Sequence, residues 1–153
     1  MVDVGEAAPD VAWEVGDGGQ GSTTRHKGRK LVIYFYPKDD TSGCTREAQD
    51  FSELASDFAK AGTEVVGISR DSIKSHGKFR DKYALQVELG SDSEGLVAEG
   101  FGVWVEKSMY GRKYMGIERA TFLIDARGKV AKVWRKVKVP GHAAEVLDAA
   151  RAL

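Results

Sequence analysis

The chain has 153 residues, 42% hydrophobic and 30% charged, with 23 Lys plus Arg balancing 23 Asp plus Glu at a formal net charge of zero. Such a length buries a core without staples. Zero net charge excludes recruitment of nucleic acid or an anionic membrane by bulk field and favours a small or neutral substrate. No apolar run reaches the roughly 20 residues of a membrane span, and the acidic, glycine-rich start is unlike a signal peptide. The single cysteine excludes an internal disulfide and fits a reducing, cytoplasmic compartment. One domain is expected over residues 1–153.

After a Gly/Ala/Pro opening, a short strand is expected over 11–15, then a turn in GDGGQG (16–21) and a polar, basic lead through 22–29. KLVIYFY (30–36) has the length and β-branched, aromatic content of a first core strand. From 45 to 60, Ala48, Phe51, Leu54, Ala55, Phe58 and Ala59 recur at helical spacing. TEVVGIS (63–69) is a second apolar strand, and strand, helix, strand with this crossover makes a parallel, right-handed βαβ unit.

An Asp71/Ser72 cap signal starts a mostly polar helix over 71–83 that carries Ile73, Phe79 and Tyr83. Residues 87–101 hold a turn and one short helix, and the aromatic, basic 102–118, without a clear period, is an ordered loop or irregular strand. RATFLID (119–125) is the third strong strand, ARG (126–128) a turn, and 129–139 its antiparallel hairpin partner. Beyond Pro140 and Gly141, HAAEVLDAARAL forms a terminal amphipathic helix. Two parallel strands, then a hairpin and a final helix, give an α/β thioredoxin fold with an N-terminal extension and a central insertion.

These expectations place Cys44 in the first turn of a helix, just past the carboxyl end of a buried strand. α/β sheets put ligand sites there, and backbone N–H groups point outward unpaired. A helix N-terminus and a nearby cation both favour a thiolate. Ionisation alone gains only about thirtyfold, because a free thiol is already a few per cent ionised at pH 7. A larger acceleration needs preorganised donors, each worth about 10²–10³-fold. In PKDDTSGC (37–44), Thr41 is placed to share a pocket with the sulfur and donate to a bound oxygen. Gly43 lets backbone approach closely, and Pro37 ends the strand and shields the thiol. Arg119 opens a strand expected beside the central one, so its fixed charge can reach the sulfur.

YFYPKDDTSGCT resembles the peroxiredoxins, and more closely their bacterioferritin comigratory protein/PrxQ branch, with Ser42 where that branch usually has Pro. The likeness continues through GEAAPD (5–10), SHGKF (75–79), VWVEKSMYGRKYMGI (103–117), RATFLID (119–125) and VPGHAAEVL (139–147). It implies a thiol peroxidase for hydrogen peroxide and organic hydroperoxides without metal or organic cofactor. Cys44 matches the peroxidatic cysteine, Thr41 and Arg119 its activating partners, and Pro37 the shielding proline, with Gly43 at the substrate. The resolving cysteine that the branch carries in one of two places falls at Gln49 or Arg80, and neither is cysteine here. A 1-Cys cycle is therefore expected. An external thiol (thioredoxin, glutaredoxin or glutathione) or Cys44 of a second copy would resolve the oxidised sulfur, in a monomer or homodimer. The alternative is a redox sensor or thioredoxin-like binding module in which oxidation of Cys44 regulates a partner.

Other polar residues have plainer readings. His26, His76 and His142 are scattered through polar segments, lack metal spacing and are expected to be solvated. Asp39 and Asp40 are expected in a solvated turn. KSMYGRKY (107–114) is expected to pack beside the mouth of the site rather than stack on nucleic acid. GDGGQG is a turn, not a phosphate loop.

Overall fold

A computed structural model describes residues 2–153; residue 1 of the expected domain lies outside the described residues. In chain order the elements are β1 (Ala12–Glu14), β2 (Gln20–Ser22), β3 (Lys30–Phe35), α1 (Ser42–Glu53), α2 (Ala55–Lys60), β4 (Thr63–Ser69) and α3 (Ile73–Tyr83). There follow β5 (Glu88–Ser91), α4 (Leu96–Phe101), β6 (Trp104–Met109), β7 (Arg112–Ile117), β8 (Ala120–Ile124), β9 (Val130–Trp134) and α5 (His142–Ala152).

Strand β3 is nearly all apolar because both its faces are covered. Leu31, Ile33 and Phe35 enter one core cluster and Val32 and Tyr34 the other, as the two-residue pleat requires. The first cluster adds Val66, Ile68, Val97, Phe101 and Phe122. The second gathers Ala48 and Phe51 of α1, Phe58 of α2, Phe79 of α3, and Val146, Leu147 and Ala150 of α5. The α5 residues fall at helical spacing, so its apolar stripe packs on the sheet.

Among the described residues seven strands form the sheet in the order β2-β1-β5-β4-β3-β8-β9. β3 and β4 pair in parallel, as do β4 and β5, while β8 runs antiparallel to β3 and β9 to β8. This is the expected thioredoxin arrangement, with β1 and β2 as the extension and the segment from β5 to β7 as the insertion.

Four details differ from the sequence reading. The expected helix over 45–60 starts at Ser42 and breaks at Leu54, whose ψ of 3° ends α1 before α2 begins. Strand β2 forms in the expected turn, and β5 in a segment expected to hold only a turn and a helix. Both contain a glycine beneath Trp13: a Cβ on Gly21 or Gly90 would stand 2.2 or 2.4 Å from the indole. Glycine inside a strand marks such a close approach, and it also hides the strand from propensity. Residues 104–117 form a regular antiparallel hairpin, Lys107 opposite Tyr114. Tyr110 and Gly111 both adopt positive φ (53° and 78°), which suits a two-residue turn.

Candidate active site

After β3 the chain turns through 36–41 and enters α1 at Ser42. The first bond of the helical ladder runs from Thr45 N–H to Thr41 O at 2.8 Å. The N–H groups of Ser42, Gly43 and Cys44 therefore lie ahead of the ladder, at the positive end of the helix. Cys44 is 2% exposed.

Arg119 immediately precedes β8, whose Ala120 pairs with Phe35, so its side chain starts level with the end of β3. Its carbonyl accepts from Val137 N–H at 3.0 Å, which fixes the backbone. The guanidinium spans two groups on α1: Nη2 donates to Cys44 Sγ at 3.2 Å and Nη1 to Glu47 Oε1 at 2.6 Å. A Cβ on Gly43 would stand 3.3 Å from Nη2, so glycine leaves room for the guanidinium over the helix start. Burial works against the Arg119 charge, but Glu47 and Cys44 outweigh it and Arg119 is raised above its ordinary value.

Glu47 is almost wholly buried, and its Oε2 has no hydrogen-bond partner among the described residues. Burial pushes its carboxyl up to about 7 against the opposing pull of Arg119. Tyr34 Oη, in the core cluster that includes Cys44, is also buried without a hydrogen-bond partner among the described residues.

Thr41 is exposed and caps α1 through its backbone, while its hydroxyl donates to Lys38 O at 2.8 Å. The one hydroxyl proton is thus spent on the loop, and the oxygen keeps lone pairs free to accept. Pro37 is exposed in the same loop, two residues past β3.

The loop itself is anchored by groups expected to be solvated. Asp39 is buried; its Oδ1 accepts from Tyr36 Oη at 2.6 Å and its Oδ2 from Ser75 Oγ at 2.8 Å. His76 Nδ1 lies 2.7 Å from the same Oδ2, and His76 Nε2 lies 3.0 Å from Gly90 O. Burial disfavours the Asp39 charge, yet His76, Tyr36 and Ser75 together hold its carboxyl below the usual range. Asp71 joins the cluster, accepting from Asp39 N–H at 2.9 Å and Ser69 Oγ at 2.6 Å. Asp39, Asp71 and His76 are close enough to share a cation. Their ligand atoms are engaged with one another and with neighbouring donors, so the cluster is a polar clamp between loop and α3. Asp40 alone is exposed as expected, paired with Lys82 at 2.8 Å.

The other two histidines also differ from expectation. His26 Nε2 meets Glu64 at 2.8 Å, and His142, 6% exposed, meets Thr121 Oγ1 at 2.8 Å. Burial holds His142 down at about 4, with Glu145 pulling up and Arg119 adding to the depression. Its imidazole is neutral at pH 7.

The AhpC/TSA family model matches residues 4–133. The chain belongs to the AhpC/TSA family. Within it, this peroxiredoxin is 46% identical to Peroxiredoxin Bcp of Bacillus subtilis over 147 residues, 96% of this chain and 94% of that protein. It is 45% identical to Peroxiredoxin Bcp of Xanthomonas campestris over 152 residues, 99% and 95% of the two chains. A solved structure of the Xanthomonas campestris bacterioferritin comigratory protein, studied for its alkyl peroxide reduction activity, superposes at a TM-score of 0.90. It shares 45% identity and covers 99% of this chain and 97% of its own. Cysteine-to-serine mutants of Xanthomonas campestris Peroxiredoxin Q at two different positions superpose at 0.91, with 45% identity and coverage of 99% of this chain and 97% or 96% of theirs. The present peroxiredoxin has Cys44 alone.

Sequence reasoning brought Cys44, Arg119 and Gly43 together and missed Glu47. The signal was there: Glu47 lies three residues after Cys44 on the stripe that runs on to Ala48 and Phe51. A carboxylate on a core stripe needs a buried cation.

Proposed function

We propose that the chain is a thiol-dependent peroxidase whose single domain spans 1–153, reducing hydrogen peroxide and organic hydroperoxides through Cys44 and resolved by an external thiol. The observation that carries this reading is the 3.2 Å contact from Arg119 Nη2 to Cys44 Sγ at the start of α1. The sequence likeness to peroxiredoxins named Bcp supports it.

In the chemical step the Cys44 thiolate attacks the terminal oxygen of R–O–OH. The S–O bond forms, the O–O bond breaks, and the leaving RO⁻ takes a proton to depart as ROH. Sulfur is oxidised by two electrons to the sulfenic acid, the first rung of the oxidation ladder. Charge moves from sulfur to the leaving oxygen, so donors fixed in advance around both atoms favour the transition state over the ground state. Arg119 Nη2 and the N–H groups of Gly43 and Cys44 are those donors. Thr41, its proton given to Lys38 O, accepts from the peroxide O–H and so fixes which oxygen faces the sulfur. Pro37 contributes a wall that donates nothing.

With no second cysteine in the chain, the cycle is of 1-Cys type and the reductant comes from outside. A lone thiol of this kind fits a cytoplasmic setting. Among the described residues no helix is long and apolar enough to cross a membrane.

The test is intact-mass analysis after one equivalent of peroxide. Cys44 is expected to gain one oxygen and lose it again when a thiol is added, with turnover sustained by that thiol. Cys44→Ser is expected to abolish the reaction. A chain that takes up oxygen slowly and captures a partner without turnover would support the sensor reading instead.

A further inference from the structure

Arg119 serves two acids with one positive charge. Its Nη1 donates to Glu47 Oε1 at 2.6 Å and its Nη2 to Cys44 Sγ at 3.2 Å, so carboxyl and sulfur share a guanidinium. Both acids are buried, Glu47 at 1% and Cys44 at 2% exposure, three residues apart on α1. Among the described residues no second cation pairs with either of them. Lys107 of β6 feels Arg119 and Cys44 but forms no ion pair. Asp50, further along α1, is held by Arg46 at 3.0 Å. From β3, Tyr34 stacks on Phe51 at 4.6 Å, and from α5 His142 meets the same ring edge-on at 6.1 Å. Burial keeps that phenol and that imidazole neutral at pH 7. Glu118, next to Arg119 in the chain, is taken by Arg135 at 2.7 and 2.9 Å.

One cation compensates one buried anion, and a second anion beside it goes uncompensated. Two such acids titrate as a pair, the first charge suppressing the second. The geometry decides which of them keeps the proton. Cys44 lies in the first turn, where the N–H groups of Ser42, Gly43 and Cys44 precede the ladder and the helix field is strongest. Glu47 lies a turn further on, and its Oε2 is buried with no hydrogen-bond partner among the described residues. An ionised carboxylate with one oxygen so placed is poorly compensated. A proton on Oε2 removes that charge and leaves Oε1 to accept from Arg119. The rise of the Glu47 carboxyl to about 7, driven by burial, agrees with this assignment.

We propose that Glu47 holds the proton of the Cys44 thiol: the enzyme ready for peroxide pairs a Cys44 thiolate with a protonated Glu47, and oxidation of the sulfur moves the negative charge back to the carboxylate. The proposal rests on the peroxidase reading and makes Glu47 a positioning residue for charge, acting through Arg119. The S–O bond forms and the O–O bond breaks, with sulfur giving two electrons to the peroxide. Glu47 loses one proton and the leaving oxygen gains one, so the acid pair carries a single negative charge before and after. An external thiol R′SH then forms the mixed disulfide with loss of water. A second R′SH releases R′S–SR′ and the Cys44 thiolate, and its proton returns to Glu47.

The test counts protons in wild type and in Glu47→Gln, whose amide oxygen can still accept from Arg119. Each is mixed with one equivalent of hydrogen peroxide in weak buffer with an indicator dye at about pH 6, below the Glu47 value of about 7. Thiolate is read before mixing by ultraviolet absorbance, and sulfenic acid afterwards by mass. Wild type is expected to take up almost no proton per sulfenic acid formed, and Glu47→Gln about one, because its leaving oxygen must draw on solvent. Asp50→Asn, which removes a neighbouring carboxylate and leaves Arg119 untouched, should behave as wild type. A second reading needs no variant: the infrared difference spectrum of the wild type should lose the C=O band of a protonated carboxyl as sulfenic acid forms. Equal uptake in wild type and Glu47→Gln, the same uptake in Asp50→Asn as in Glu47→Gln, no thiolate in the wild type at that pH, or no loss of the band would each overturn the proposal while leaving the peroxidase reading intact. A chain that forms no sulfenic acid at all would overturn both.

Discussion

Glu47 Oε1 accepts from Arg119 Nη1 at 2.6 Å one helical turn beyond Cys44, so the residue that aims the guanidinium stands on the same helix as the sulfur it serves. Arg119 is thereby tied to α1 at two points, and its contact with Sγ does not depend on β8 alone.

Removing either partner should slow oxidation, to different degrees. Arg119→Ala takes away a preorganised donor and is expected to lower the second-order rate with hydrogen peroxide by about 10²–10³-fold. Glu47→Ala leaves the guanidinium in place but free to swing, with an expected loss of about tenfold or more. Because Glu47 acts through Arg119, the double variant should be no slower than Arg119→Ala. Stopped-flow tryptophan fluorescence measures all three; additive losses in the double variant would show that Glu47 acts on its own.

Stability should depend on pH in two opposed ways. The folded pKa of Glu47, about 7, lies above its ordinary 4.5, so its contribution is fully present below about 4.5 and lost as pH rises through 7. By linkage the 2.5-unit difference is worth up to about 3 kcal/mol. His142 is shifted the other way, from 6.5 to about 4, so its contribution is present above 6.5 and lost as pH falls through 4. The two slopes overlap between about 4.5 and 6.5 and largely cancel. The wild-type melting temperature should vary little across that window. Glu47→Gln should melt progressively higher relative to wild type as pH rises, and His142→Gln should resist acid better. Parallel profiles for all three proteins would sink this account.

Much of the fold was legible because β3, β4, β8 and α5 combine the right period with strong apolar content. What escaped notice was set by tertiary contacts. Strand β5 contains Leu89, Gly90 and Ser91, a poor strand by propensity; it is held by its parallel ladder with β4, and Gly90 leaves the space that Trp13 fills. The hairpin of β6 and β7 hid because charged and apolar residues lie on both its faces, although Tyr110-Gly111 marked its turn. His76 could have been found: on α3 it falls on the stripe through Ile73, Phe79 and Tyr83, so a solvated reading was at odds with its own helix. The place of Arg119 at the start of a strand beside the central one put its charge within reach of the sulfur, but only the family resemblance separated it from a surface charge.

The slot around Trp13 makes a test of packing that is independent of the chemistry. Gly90→Ala would drive a methyl to 2.4 Å from the indole, and Gly21→Ala one to 2.2 Å. Either should cost about 1–3 kcal/mol in urea denaturation, as overpacking does. Trp13→Leu should recover part of the loss in the Gly90→Ala background, whereas simple additivity would mean that the indole is not what the glycine accommodates.

The clamp between Asp39 and His76 should govern access to the sulfur. It joins the 36–41 loop to α3 through a buried 2.7 Å contact, with Ser75 and Tyr36 completing the Asp39 shell. Deleting His76 takes one partner from a buried carboxylate that keeps its bonds from Tyr36 and Ser75, and the loss of such a buried hydrogen-bond partner typically costs about 1–3 kcal/mol. His76→Ala should therefore lower the melting temperature. It should also act locally, speeding amide exchange over residues 38–43 and raising the rate at which iodoacetamide alkylates Cys44. The nearby Asp40–Lys82 pair is an exposed ion pair on the same loop and the same helix, and exposed pairs contribute little. Lys82→Ala should leave both rates unchanged. If it accelerates alkylation as much as His76→Ala, then the loop is held by its surface contacts and the buried clamp is not the lock on Cys44.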